Sequence, residues 1–103
     1  MARYLVLYNA NPSVWPTDPK QALAVLEGAI AGGDQLLKMG ALKEVGWLTP
    51  HDGFGIFETD SKDALLEMIE PFFPYYSPVI HEIVPWEKGS QAILNGARQA
   101  ASR

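Results

Sequence analysis

A strand–helix–strand–strand–helix–strand order limits what this chain can fold into more than any motif it carries. β-branched and aromatic residues mark 3–9 as a strand, and 18–39 keeps apolar side chains at helical spacing. Strand patterns at 41–48 and 53–59 flank a turn containing Pro50 and Asp52-Gly53. A second helix is expected over 61–70 and a last strand over 79–86. Two βαβ halves of this kind build an α+β domain, a four-stranded antiparallel sheet with both helices on one face. The other face is then uncovered, and something must bury it. A weaker amphipathic pattern over 90–101, with Ala92, Ile93, Gly96, Ala97 and Ala100 together, predicts an extra C-terminal helix. The expected division is one domain over 1–86 and a helical extension over 87–103.

The helix boundaries are written in residue types. Asp18 is placed as an N-cap, with Pro19 at the first helical position, Gln21 spaced for a capping box and Gly40 as the stop. Val25, Leu26, Ala29, Ile30, Leu36 and Leu37 fall on one side; Glu27, Asp34 and Lys38 fall on the other, where Asp34 and Lys38 can pair. Gly28, Gly32 and Gly33 interrupt this helix, each costing about 1 kcal/mol relative to alanine. Close approach of the helix to the sheet explains them, and so does room left for a ligand or a break in the helix. Asp60 or Ser61 caps the second helix, whose apolar stripe is Ala64, Leu65, Met68, Ile69 and Phe72. Pro71 ends it near Glu70, and 72–78 reads as an aromatic loop.

Charge and composition remove whole classes of function. Eight Lys and Arg against 12 Asp and Glu leave a net charge of -4, the wrong sign for nonspecific nucleic-acid binding or for docking on an anionic membrane. The chain has no cysteine, hence no disulfide, thiolate zinc site or cysteine nucleophile, and two distant histidines do not make a metal site. The opening apolar run is too short for a signal peptide or a membrane span, so a soluble, cytoplasmic protein is expected.

Gly53-Phe54-Gly55-Ile56-Phe57 is similar to the signature of RNA-recognition domains, but it departs where the chemistry lies. Asp52 stands where a basic residue should meet phosphate, Ile56 and Thr59 replace aromatics, and Glu58 shares a strand face with Phe54. No nucleic-acid partner is expected. His51 and Asp52 belong to the hairpin turn. His81 and Glu82 are strand neighbours and point to opposite faces, so they cannot work as a pair. His81 is the candidate acid–base group, with Tyr4, Tyr8 or Glu44 as its polar partners. A histidine merely hydrogen-bonded at a helix edge or subunit interface is the alternative. Among the aromatics, Trp15, Phe72, Phe73, Tyr75, Tyr76 and Trp86 suit either a cleft wall or an interface. The ligand-binding candidates are Tyr4, Tyr8, Trp15, Phe57, Tyr76 and Trp86.

Three stretches carry a family resemblance: Arg3-Tyr4-Leu5-Val6-Leu7-Tyr8, Gly53-Phe54-Gly55-Ile56-Phe57-Glu58-Thr59-Asp60-Ser61, and Val79-Ile80-His81-Glu82-Ile83-Val84-Pro85-Trp86. Through Trp86 the chain resembles the dimeric α+β barrel superfamily of ferredoxin-like proteins, βαββαβ in order. That superfamily includes muconolactone isomerases, cofactor-independent monooxygenases and YCII-related proteins. The resemblance implies a homodimer joined through its sheet faces, no cofactor, and a small, partly apolar ligand between sheet and helices. It implies either a binding protein or a cofactor-independent isomerase or monooxygenase; a structural or interaction module is a third reading. The catalytic residues of those families do not carry over. His81 is followed by Glu82 and then apolar strand, not by a YCII-type aspartate arrangement, and no asparagine–tryptophan–histidine set occurs.

Overall fold

β1 (Ala2–Ala10) runs through the interior of a four-stranded antiparallel sheet, between β3 (Asp52–Thr59) and β4 (Tyr76–Ile83), with β2 (Leu42–Trp47) outside β3. The computed structural model covers residues 1–103. α1 (Pro19–Met39) and α2 (Lys62–Ile69) lie on one face, and a 3-10 turn over Glu70–Phe72 leads from α2 towards β4. This is the βαββαβ order expected, followed by α3 (Trp86–Ala101).

The caps form where polar residues precede helical runs. Asp18 caps α1, its carboxylate accepting from the Lys20 N–H at 3.4 Å rather than from Gln21. Gly40, at φ 81°, closes it by donating to the Leu37 carbonyl. Ser61 caps α2 by accepting from the Ala64 N–H at 3.1 Å. α1 is unbroken through its three glycines. Asp34 and Lys38 do not pair, and the one ion pair joins Arg3 to Glu58 at 3.8 Å across β1 and β3.

The last strand differs from the sequence reading. It begins at Tyr76, inside the expected aromatic loop, and ends at Ile83 rather than Trp86. Tyr76 pairs with Ala10, and Pro78 pairs with Tyr8. Pro78 is tolerated because β4 is an edge strand, where a missing N–H breaks no ladder. Pro85 then separates strand from helix. The Gly89 N–H donates to the Pro85 carbonyl at 2.9 Å, so α3 starts at Trp86, four residues before the expected 90.

Strand alternation sorts the side chains into two faces. Tyr4, Val6, Leu42 and Phe57 point at the helices and close on Leu36, Leu65 and Ile69 to form the core. The opposite face presents Leu5, Leu7, Phe54, Ile56, Val79 and Ile83, none of them buried, and no helix packs over it.

Candidate functional site

α1 packs chiefly over β2, so the middle of the helix stands off the sheet. The space beneath it is a cavity of about 180 Å³. Val6, Tyr8, Gly55, Phe57 and Trp47 form its floor, Ala29, Ile30, Gly33 and Leu36 its roof, and Phe72 and Phe73 line it from the segment after α2. Asp34 is the only charged residue among its lining, and it is exposed. A second, more open groove runs on the far side of Leu36 and Phe72, past Gly28, Gly32 and Tyr75.

The glycines of α1 explain themselves here. A Cβ on Gly28 or Gly33 would meet nothing within 4 Å, and on Gly32 it would touch only the Phe72 ring at 3.1 Å. The close approach to the sheet does not occur; the missing side chains leave space. On β3, Gly53 and Gly55 instead let neighbours come close: a Cβ on Gly53 would run into the Tyr8 hydroxyl and the Gly46 carbonyl, and one on Gly55 would press on Leu42 and Phe57 at 3.1 Å. Gly53 and Gly55 alternate with Phe54 and Ile56, so the glycines face the helices and the large side chains face away.

A run of edge-to-face aromatic rings crosses the floor: Trp47 to Tyr8 at 5.7 Å, Tyr8 to Tyr76 at 5.7 Å, and Tyr76 to Trp15 at 5.5 Å between centroids. Such pairs add about 0.5–1.5 kcal/mol each beyond their burial. The Tyr8 hydroxyl donates to the Gly46 carbonyl at 2.9 Å. The Tyr76 hydroxyl is buried and has no partner. Burial raises the pKa of both phenols above the usual 10.0, with the neighbouring Tyr76 adding to the shift at Tyr8. At neutral pH both are therefore uncharged hydrogen-bonding groups and poor bases.

Of the residues singled out in the sequence, Tyr8, Phe57 and Tyr76 meet at this cavity. Trp15 stands behind Tyr76, also edge-on to His51 at 6.4 Å. Tyr4 is in the core, its phenol pKa raised by burial and then by Glu82 across the strand pair. Trp86 is 89% exposed at the foot of α3, away from the cavity. His81 pairs with Leu5 and lies exposed on the uncovered face, opposite to Tyr4 and Tyr8, so the expected His81–tyrosine partnership does not form. Glu44 is exposed at an irregularity in β2. The sequence reading missed Trp47, Gly53 and Gly55, while room for a ligand was among the explanations it gave for the α1 glycines. The signal was present in the Gly-x-Gly-x-Phe alternation of β3, which puts two side-chain-free positions and one ring on a single face.

Among solved structures, a crystal structure of muconolactone isomerase superposes with a TM-score of 0.60, over 82% of this chain and 90% of that one, at 18% identity. The fold is that of muconolactone isomerase. At this identity the likeness speaks for the fold alone. No family model matches the chain, and no curated protein sequence does. No helix is long and apolar enough to cross a membrane.

Proposed function

We propose that this protein binds a small, largely apolar ligand, about one ring in size, in the cavity between α1 and the sheet. The observation that carries this reading is a largely apolar cavity of about 180 Å³, with open space where Gly33 in its roof lacks a side chain and with Gly55 in its floor. An apolar cavity of about 150 Å³ is known to stay dry and to take up benzene, which sets the size class. A protein without a ligand to hold would fill such a space with its own side chains, since voids cost stability in proportion to their volume.

Phenol and benzene are suitable probes, followed by the methyl resonances of Val6, Leu42 and Val45, which border the cavity. Saturable shifts in these methyls, absent from a Gly33→Leu variant, support the reading. Unchanged methyls with both probes at millimolar concentration end it.

The same reading takes the protein as a homodimer whose uncovered sheet faces pair. Leu5, Leu7, Ile56 and Val79 offer an apolar surface for this, and sheets stack about 10 Å apart face to face. Sedimentation that shows a monomer at every concentration, or a dimer indifferent to Leu7→Lys, removes the sheet pairing.

Catalysis through His81 is the alternative, and it requires a reaction on the uncovered face, because His81 does not border the cavity. An isomerase activity lost in His81→Ala, with probe binding in the cavity intact, would carry that reading instead.

A further inference from the structure

Two side chains, Leu36 and Phe72, divide the cavity from the groove beside it. The two spaces are otherwise continuous, with Ala29 and Tyr76 also bordering both. The groove is the larger, about 450 Å³ against about 180 Å³, and runs between α1 and the segment from Met68 to Tyr75. Of the two dividers, Leu36 belongs to the core, whereas Phe72 is part-exposed at the end of the 3-10 turn. Its ring rests on Gly32, where a Cβ would stand only 3.1 Å away. Phe72 is therefore the divider that can turn aside.

The α1 glycines are shared between the two spaces. Gly33 lies over the cavity, while Gly28 and Gly32, one helical turn apart, border the groove. A Cβ on Gly28 would meet nothing within 4 Å. Glycine is costly inside a helix, and a single ring held in the cavity accounts for Gly33 alone.

Polarity narrows what would lie across both spaces. Tyr76 stands where they meet; it is 5% exposed, and its hydroxyl is buried without a partner. An unpaired buried hydroxyl is costly, and an acceptor oxygen placed between the cavity and the groove would satisfy it. No charged residue borders the groove, and only the exposed Asp34 borders the cavity. A carboxylate in either space would lose its hydration without meeting a cation, and an ammonium in the groove would meet no anion. On the reading that the cavity holds a ring, we propose that cavity and groove are one site with Phe72 at its threshold, and that its ligands are uncharged aryl ketones carrying an apolar chain. The ring lies in the cavity, the chain follows Gly28 and Gly32, and the carbonyl between them accepts from Tyr76.

The experiment is a titration of the full chain with benzene, acetophenone and the phenyl alkyl ketones up to hexanophenone, read by methyl resonances. Val6, Leu42 and Val45 report on the cavity, Val25 and Met68 on the groove. Acetophenone should shift the first set alone. Longer ketones should shift both sets, with affinity rising about threefold per methylene. Gly28→Leu should hold hexanophenone near the affinity of acetophenone and leave benzene binding unchanged. Tyr76→Phe should weaken the ketones about fivefold and leave alkylbenzenes of matching length unaffected. Affinity independent of chain length, with benzene still shifting the cavity methyls, overturns the proposal and leaves the cavity reading standing. So does a gain with chain length that survives Gly28→Leu, or equal weakening of ketones and alkylbenzenes by Tyr76→Phe. Val25 and Met68 shifts that follow protein concentration instead of ketone give the groove to a second copy and also overturn it. Cavity methyls that answer neither benzene nor any ketone end the cavity reading, and this proposal with it.

Discussion

The Tyr8 hydroxyl donates to the Gly46 carbonyl at 2.9 Å, reaching from β1 to β2 over the intervening strand β3. It can do so because Gly53, its partner across the β1–β3 ladder, has no side chain. A Cβ there would run into both the Tyr8 hydroxyl and the Gly46 carbonyl. Tyr8→Phe should therefore cost about 1 kcal/mol in urea denaturation, the usual net worth of one such bond. Gly53→Ala should cost more, about 2 kcal/mol, because it breaks the same bond and overpacks the contact between the Tyr8 ring and the Gly46 backbone. A smaller loss for Gly53→Ala than for Tyr8→Phe would show that the strand interval does not depend on this contact.

Tyr76 presents the opposite case. Its buried hydroxyl has no partner, so Tyr76→Phe should leave the free protein as stable or stabilise it by about 1 kcal/mol. If the hydroxyl serves a bound molecule, the same variant should weaken phenol binding and leave benzene binding unchanged. Calorimetry with both probes separates these effects; equal weakening of both would assign Tyr76 a packing role only.

Gly33 offers a graded test of the cavity roof. Nothing lies within 4 Å of a Cβ placed there, so Gly33→Ala should stabilise α1 by about 1 kcal/mol through helix propensity. Gly33→Leu should fill the cavity and abolish probe binding while the protein stays folded. Retained binding in the leucine variant, measured by the same methyl shifts, would move the ligand elsewhere.

Alkaline pH should unfold the protein through its buried phenols. Tyr4, Tyr8 and Tyr76 all have pKa values raised above 10.0, chiefly by burial. Above pH 10 the unfolded chain releases these protons while the folded chain still holds them, so the unfolded state binds fewer protons and stability falls as pH rises. The contribution is fully present below pH 10 and is lost between 10 and the raised folded values. Melting temperature against pH, with tyrosinate absorbance as a second readout, checks this. A flat profile from neutrality through the alkaline range would contradict the burial of these rings.

Local chemistry made much of the fold legible in the sequence. Asp18, Pro19, Gly40 and Ser61 mark helix ends because orphan backbone groups at those ends need the same few residue types everywhere. Pro78 misled the reading of β4, because whether a proline breaks a strand depends on its position in the sheet. Trp86 misled the reading of the site for a similar reason: an aromatic residue beside a proline looks the same on a cavity wall and at the foot of a projecting helix.

Alternation along β4 determined from the sequence alone that His81 and Glu82 face opposite ways, and along β3 that Gly53, Gly55 and Phe57 share a face. The order of elements likewise determined a sheet with one bare side. Only the tertiary structure decided which residue looks towards the helices, because period-two alternation sets relative facing and not its sign. That sign comes from register. Leu5 opposite His81 and Tyr4 opposite Glu82 put the histidine on the bare face and the tyrosine in the core. The cavity too is a tertiary fact, since it exists only where glycines far apart in the chain meet across the gap between α1 and β3.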